Sequence, residues 1–170
     1  KGVSMLTHTF NAMPGIHHRN PGPIAAALNN GEISMGLIAD GIHVHPSVAV
    51  LLQRLASEKL VLVSDAISAY GLKDGLYQWD NRPLTVTNGT CRLKDGTLAG
   101  TTLPLLEGVK RLAKWSGQPA ASIWSATIAP RMALNKQCSF VDYFVGKSMK
   151  NLLRWHQDLK SNDLSWQRAA

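Results

Sequence analysis

Cysteine is scarce in this sequence. Its two copies, Cys91 and Cys138, lie far apart and in no motif. That sparse usage is the habit of a protein kept in a reducing compartment, and a cytoplasmic location is expected. Long apolar runs are missing as well. None approaches the roughly 18 residues of a membrane helix, so no membrane partner is expected. Runs of one charge are also absent. The formal net charge is +7, which raises the question of nucleic acid. Residues 1–100 are nearly balanced, with eight Lys or Arg against seven Asp or Glu, and residues 101–170 carry ten against four. The excess there is scattered over Lys110, Arg111, Lys114, Arg131, Lys136, Lys147 and Lys150. No basic block and no RNA-binding or helix-turn-helix signature accompanies it, so it reads as solvated helix faces, and no nucleic-acid partner is expected. No signal peptide is visible, and the chain opens on Lys1, not Met.

Against those absences stands a dense polar stretch. Val3 to Leu6 reads as a short strand that runs into Thr7-His8-Thr9-Phe10-Asn11-Ala12-Met13-Pro14 and then His17-His18-Arg19-Asn20-Pro21-Gly22. His8 therefore falls at a strand end, above a loop rich in donors, where α/β folds keep their chemistry. The plain alternative is a core histidine satisfied by its neighbours. Two later stretches repeat the pattern. Met35 to Asp40 is an apolar strand that leads into Gly41-Ile42-His43, and Leu60 to Asp65 is a continuous apolar run typical of a strand buried on both faces. Helix-like segments, Pro23 to Asn30 and Pro46 to Glu58, separate them. This βαβαβ order predicts a parallel sheet with its site along one edge.

The rest of the chain reads more briefly. In the helix after Pro46, Val48, Leu51, Leu52 and Leu55 form a core stripe. Leu76 to Trp79, Leu84 to Thr87 and Thr90 to Leu93 are short strands, joined by an Asn88-Gly89 hairpin turn and followed by an Asp95-Gly96 turn. A β-ribbon over about residues 76–97 is thus inserted, after which the chain returns to a helix from Thr101-Thr102 to Trp115. Ser122 to Ala129 is another helix, which Pro130 should end or kink. From Asn135 the pattern changes, and Met149 to Leu159 looks helical.

THTFNAMPGIHHRNPG, GLIADGIHVHP, VLVSDAISAYGL and DGTLAGTTLPLLEGVKRL, in that order, resemble the N-acetylglucosamine-6-phosphate deacetylases of the amidohydrolase superfamily. The resemblance covers about Leu6 to Leu134. It implies an α/β fold, the C-terminal part of a metal-dependent (β/α)8 barrel over residues 1–134; from Asn135 the resemblance fails, and residues 135–170 read as a divergent, partly helical tail. A complete barrel takes about 250 residues, so the resemblance implies a preceding half that would hold a Glu ligand, an earlier His ligand and the His that polarises the acetyl carbonyl. It further implies roles for residues present here. His8 is a metal ligand, and Asp65 is the acid/base. Asn11 and the backbone of Ala12 hold the sugar phosphate, His43 contacts substrate, and the backbones of Leu98, Ala99 and Gly100 lie against it. Arg19 reaches the phosphate from the partner subunit of a homodimer.

Residue chemistry is compatible with this. An amide is a poor electrophile and water a poor nucleophile, and a divalent ion, with zinc the expected one, mends both. His8 can offer it a neutral imidazole nitrogen. Asp65 can carry the proton from water to the leaving amine, although Asp also favours helix N-caps. The Arg19 guanidinium suits a phosphate, although it also reads as a surface charge. Asp40 reads as structural, bonding the turn before His43. His17, His18 and His45 carry no role. Three functions stay open: deacetylation of the phosphorylated amino sugar, a different amidohydrolase reaction on a cyclic amide, and a non-catalytic basic binding module on a barrel remnant.

Overall fold

The computed structural model describes residues 2–134 and 145–170. Residues 135–144, with Cys138, lie outside the described residues, as does Lys1. Three strands, β1 (Met5–Leu6), β2 (Ser34–Leu37) and β3 (Leu60–Leu62), pair in parallel in the order β1-β2-β3. Met5 lies beside Ser34, and Gly36 beside Val61. β2 and β3 are buried throughout, as strands of a covered parallel sheet should be. The sheet is open; the described residues do not close a barrel.

The crossovers are helical for local reasons. α1 (Gly22–Asn30) carries Pro23 in its first turn, where no N–H is needed, and ends on Gly31 in the left-handed region. α2 (Pro46–Ala56) begins with Pro46, and the His45 ring accepts a hydrogen bond from the Ser47 N–H at 3.2 Å. His45 is thus a helix cap. The buried face of α2 is Ala49, Leu52, Gln53 and Ala56. Of the expected leucine stripe only Leu52 is core; Leu51 and Leu55 are about half exposed. The reason is rotational: adjacent positions stand about 100° apart on a helix, so Leu51 and Leu55 share a face that Leu52 does not.

An antiparallel sheet follows, β4 (Gly75–Trp79), β5 (Arg82–Thr87), β6 (Thr90–Leu93) and β7 (Leu98–Thr101), in sequence order. Asn88 and Gly89 both have positive φ, as a tight two-residue hairpin demands. Its small core is Ala69, Leu84, Val86 and Cys91. The three short strands and the Asn88-Gly89 turn are present, with a correction: Leu98 to Thr101 do not lead into a helix but form the fourth strand. Helix α3 (Leu105–Ser116) starts only after Pro104, which cannot donate to a helical turn. α4 (Pro119–Thr127) and α5 (Ala129–Ala133) are separated at Ile128, ahead of Pro130.

The tail corrects the other helix reading. Met149–Asn151 is a single 3-10 turn, and β8 (Leu153–Gln157) pairs antiparallel with β9 (Leu164–Arg168). Trp155 is the register partner of Trp166 across the pair, a pairing that a helix could not make. Leu164 is buried in the main core with Val109, Leu112 and Ala113 of α3, and Trp155 packs beside it. Lys114 of α3 meets Asp163 at 2.9 Å, with both side chains more than half exposed.

Apolar burial, not that ion pair, holds the tail. Leu164→Ala should cost about 2 kcal/mol or more of unfolding free energy in urea, as buried leucines do. Asp163→Ala should cost less than about 1 kcal/mol, since exposed pairs contribute little. Equal costs would put the attachment in the ion pair.

Candidate active site

The carboxyl ends of β1, β2 and β3 lie along one edge, and the segments leaving them carry His8, His43 and Asp65. The first segment is held tightly. The Thr9 N–H donates to the Gly36 carbonyl of β2 at 2.6 Å. A Cβ at position 36 would stand 2.9 Å from the His8 nitrogen and 3.0 Å from the Leu6 carbonyl oxygen, so only glycine admits this approach. His8, Phe10 and Ala12 all have positive φ. Side-chain-bearing residues rarely adopt that conformation, and it persists where surrounding structure over-determines it, as at active sites. Asn11 donates to the His8 carbonyl through both its backbone N–H (3.0 Å) and its side-chain Nδ2 (3.2 Å). One amide hydrogen of Asn11 is thereby committed to the loop. The Nδ1 atom of His8 is buried without a hydrogen-bond partner among the described residues. His8 is thus not the satisfied core histidine of the plain reading.

The second segment is a compact charge network. The Asp40 Oδ1 accepts the backbone N–H groups of Ile42 and His43, each at 2.8 Å, and Oδ2 pairs with the His43 Nδ1 at 2.6 Å. The two side chains are only 3% and 4% exposed, Asp40 and His43 respectively. Burial is the largest influence on the Asp40 carboxyl and pushes it up. The bonds from the His43 ring and the two backbone N–H groups together outweigh burial and hold it below the ordinary aspartate range. With Nδ1 donating to the carboxylate, the imidazole orientation is set and Nε2 is left for another partner. α3 braces the turn from behind. Arg111 donates to the Asp40 carbonyl, and Trp115 lies so close to Gly41 that an added Cβ would meet its ring at 3.3 Å. Asp40 is structural, as its spacing suggested; Arg111 and Trp115 carried no local signal and were missed.

The third segment places Asp65 three residues beyond β3 with φ 51°, exposed, its carboxylate accepting no hydrogen bond among the described residues. No helix begins there, which removes the N-cap alternative. Leu98, Ala99 and Gly100 form β7, and Gly100 abuts Asp65. Arg19 is exposed on a turn closed by a bridge between His17 and Asn20, and its N–H donates to the His17 ring at 3.3 Å. The His17 and His18 rings meet in a tilted contact, centroids 4.4 Å apart and planes at 40°. The geometry brings the strand-end residues to one edge but leaves Arg19 without a partner group for its guanidinium among the described residues.

Among the described residues, no three His, Cys, Asp or Glu side chains come together as a metal site. The orphaned His8 nitrogen fits the contribution of one ligand to an ion whose other donors come from elsewhere. No helix among the described residues is long and apolar enough to cross a membrane.

This arrangement defines a class: α/β proteins that carry reactive side chains at the carboxyl ends of parallel strands. No family model matches the chain. It is 41% identical over 137 residues to N-acetylglucosamine-6-phosphate deacetylase of Bacillus subtilis, covering 78% of this chain and 35% of that protein. It is 38% identical over 128 residues to an Escherichia coli K12 protein provisionally named N-acetylgalactosamine-6-phosphate deacetylase, covering 75% of this chain and 77% of that one. The solved structure of a mutant N-acetyl-D-glucosamine-6-phosphate deacetylase from Mycobacterium smegmatis, in complex with N-acetyl-D-glucosamine-6-phosphate, superimposes with a TM-score of 0.75 at 28% identity, over 79% of this chain and 37% of that one. The chain belongs to the N-acetylglucosamine-6-phosphate deacetylase family. It spans about a third of the length of the Bacillus subtilis relative.

The lowered Asp40 carboxyl has a consequence with a definite sign. Its stabilising share is full above the unfolded value, about pH 3.9. As the pH falls below that value the unfolded chain takes up the proton first, and the share is lost as the pH passes through the lower folded value. Asp40→Asn should therefore flatten the fall in unfolding free energy as the pH drops below about 4. An unchanged acid limb in the variant would show that the network stores no such stability.

Proposed function

We propose that this chain forms the C-terminal catalytic part of an enzyme that hydrolyses the acetamide of N-acetylglucosamine-6-phosphate to glucosamine-6-phosphate and acetate. The observation that carries the reading is the delivery of His8, His43 and Asp65 to one sheet edge by three consecutive parallel strands, in a chain of this family. The open sheet with helical crossovers suits three consecutive strands of a (β/α)8 barrel, its outer strands β1 and β3 each having an edge that pairs with no further strand among the described residues. A cytoplasmic setting suits the two cysteines, of which Cys91 is a buried free thiol that burial pushes up and makes unreactive.

His8 would hold the divalent ion, zinc by expectation, together with donors from the remaining protein. When bound, that ion lowers the pKa of a bound water and polarises the acetyl carbonyl. Asp65, exposed and free of other bonds, takes the proton from the attacking water and returns one to the amine nitrogen as the C–N bond breaks. His43, fixed through Nδ1 by Asp40, turns Nε2 to a substrate hydroxyl. The remaining amide hydrogen of Asn11, the Ala12 backbone and Arg19 hold the phosphate. The Leu98, Ala99 and Gly100 backbones lie along the sugar. Relatives are named for both the gluco and the galacto sugar, so the 4-hydroxyl epimers make the substrate test. Amine release by the full-length protein should favour the gluco epimer and require its phosphate. Faster turnover of the galacto epimer, or of a cyclic amide, would overturn the assignment.

Within that reading, Asp65→Asn should keep the bound ion, measured by elemental analysis, yet lose about 10² to 10⁴ in turnover. His8→Ala should lose ion and turnover together. Full turnover in Asp65→Asn would remove it from the acid/base role.

Arg19 is exposed and its guanidinium unengaged, which supports a role toward a neighbouring site in a homodimer. Arg19→Ala should raise KM for the phosphorylated sugar far more than for N-acetylglucosamine, by roughly 1.5–3 kcal/mol of binding. Mixed with Asp65→Asn chains it should regain activity, because one site of each heterodimer is then intact. A mixture that stays inactive although heterodimers form would place Arg19 in its own chain's site.

A further inference from the structure

Asp65 has an unusual problem. Its carboxylate accepts no hydrogen bond among the described residues, so nothing beside the carboxylate aims it. Its direction rests on its own backbone, which lies at φ 51°, a conformation that side-chain-bearing residues rarely adopt. One residue holds that backbone. Thr101, the last of β7 and 1% exposed, donates its N–H to the Asp65 carbonyl at 3.0 Å. Its hydroxyl donates to the Ser64 carbonyl at 2.7 Å. Its own carbonyl accepts the Ile67 N–H at 3.4 Å, and it bridges Ala66 in parallel. Gly100, at φ 110°, presses against the same peptide: a Cβ there would stand 2.6 Å from the Asp65 carbonyl oxygen. Thr101 is in turn tied into the inserted sheet, paired with Thr90, while its neighbour Thr102 donates to the Gly89 carbonyl at 3.0 Å.

We propose that Thr101 is the positioning residue of Asp65, and that the inserted antiparallel sheet is thereby part of the catalytic apparatus. This rests on the acid/base reading of Asp65 given above. Thr101 is buried behind the Asp65 peptide, 1% exposed. It acts by fixing the peptide from which the carboxylate projects, and a misplacement on the order of 1 Å of a reacting group can cost about a hundredfold in rate.

A double-mutant cycle in the full-length protein tests it. Thr101→Val keeps the shape and removes the hydroxyl, and Thr101→Ser keeps the hydroxyl. Thr101→Val should lower kcat by about ten- to a hundredfold. Its KM and bound ion should stay within about twofold of the parent, and Thr101→Ser should recover kcat to within the same margin. In an Asp65→Asn background, Thr101→Val should cost no more than about twofold, because there is no carboxylate left to aim. An equal loss in both backgrounds would make Thr101 merely structural and overturn the proposal. So would a loss confined to KM, or a kcat for Thr101→Val that matches the parent. Should Thr101→Val fail to fold, Thr101→Ala takes its place in the cycle. Failure of the acid/base reading itself is separately visible, as full turnover in Asp65→Asn alone.

Discussion

The hydrogen bond from Thr9 to the Gly36 carbonyl is the contact on which the strand-end chemistry depends. At 2.6 Å it extends the pairing of β1 and β2 beyond the last regular residue of β1. It can do so because position 36 has no side chain; a methyl group would collide with the His8 nitrogen. The loop is thus pulled across β2 and forced through positive φ at His8, Phe10 and Ala12. Local strain of this kind is tolerated where neighbouring structure leaves no alternative. A glycine in one strand and a histidine beyond another are in this sense one feature.

The three segments solve the same task by different means. His8 is held by backbone strain, His43 by a buried carboxylate, and Asp65 by a threonine contributed from an insertion. The differences follow from what each must leave free. His8 keeps a nitrogen unpartnered, and His43 keeps Nε2 by surrendering Nδ1 to Asp40. Asp65 keeps its whole carboxylate, so the holding force can act only on its main chain.

Much of this was legible in the residues. Continuous apolar runs marked the strands, Pro23 and Pro46 marked helix starts, and Asn88-Gly89 marked the hairpin, because each signal is local. Asp40 was readable as the bond to its own turn for the same reason. Partners far along the chain were not legible. The tail looked helical from Met149 to Leu159, but what decides it is the distant pairing of β8 with β9 and the burial of Leu164 against α3. On α2 the leucines outweighed the alanines on paper, yet small Ala49 and Ala56 face the core, where close packing against β2 and β3 favours them. Arg111 and Thr101 both lie within DGTLAGTTLPLLEGVKRL, but nothing in that motif tells what either side chain bonds. Their importance lies in which carbonyl each reaches, 71 and 37 residues away. The resemblance supplied roles for His8, Asn11, Arg19 and Asp65, but the means by which each is held required coordinates.

The inserted sheet has a bearing on how the chain finds its structure. Its pairings join near neighbours, through turns at Asp80-Asn81, Asn88-Gly89 and Asp95-Gly96. Hairpins of this kind form in about 1–10 μs. The parallel sheet must instead bring together segments as distant as Met5 and Ser34, which makes it the slower event. Ser64 and Thr101 lie at the two ends of the insertion. Once the hairpins have formed, the flexible length between those ends is much shorter, and the entropy lost in joining them falls accordingly. The insertion is then a splint, assembled early, that draws the end of the third parallel strand into place before the strands beside it have settled.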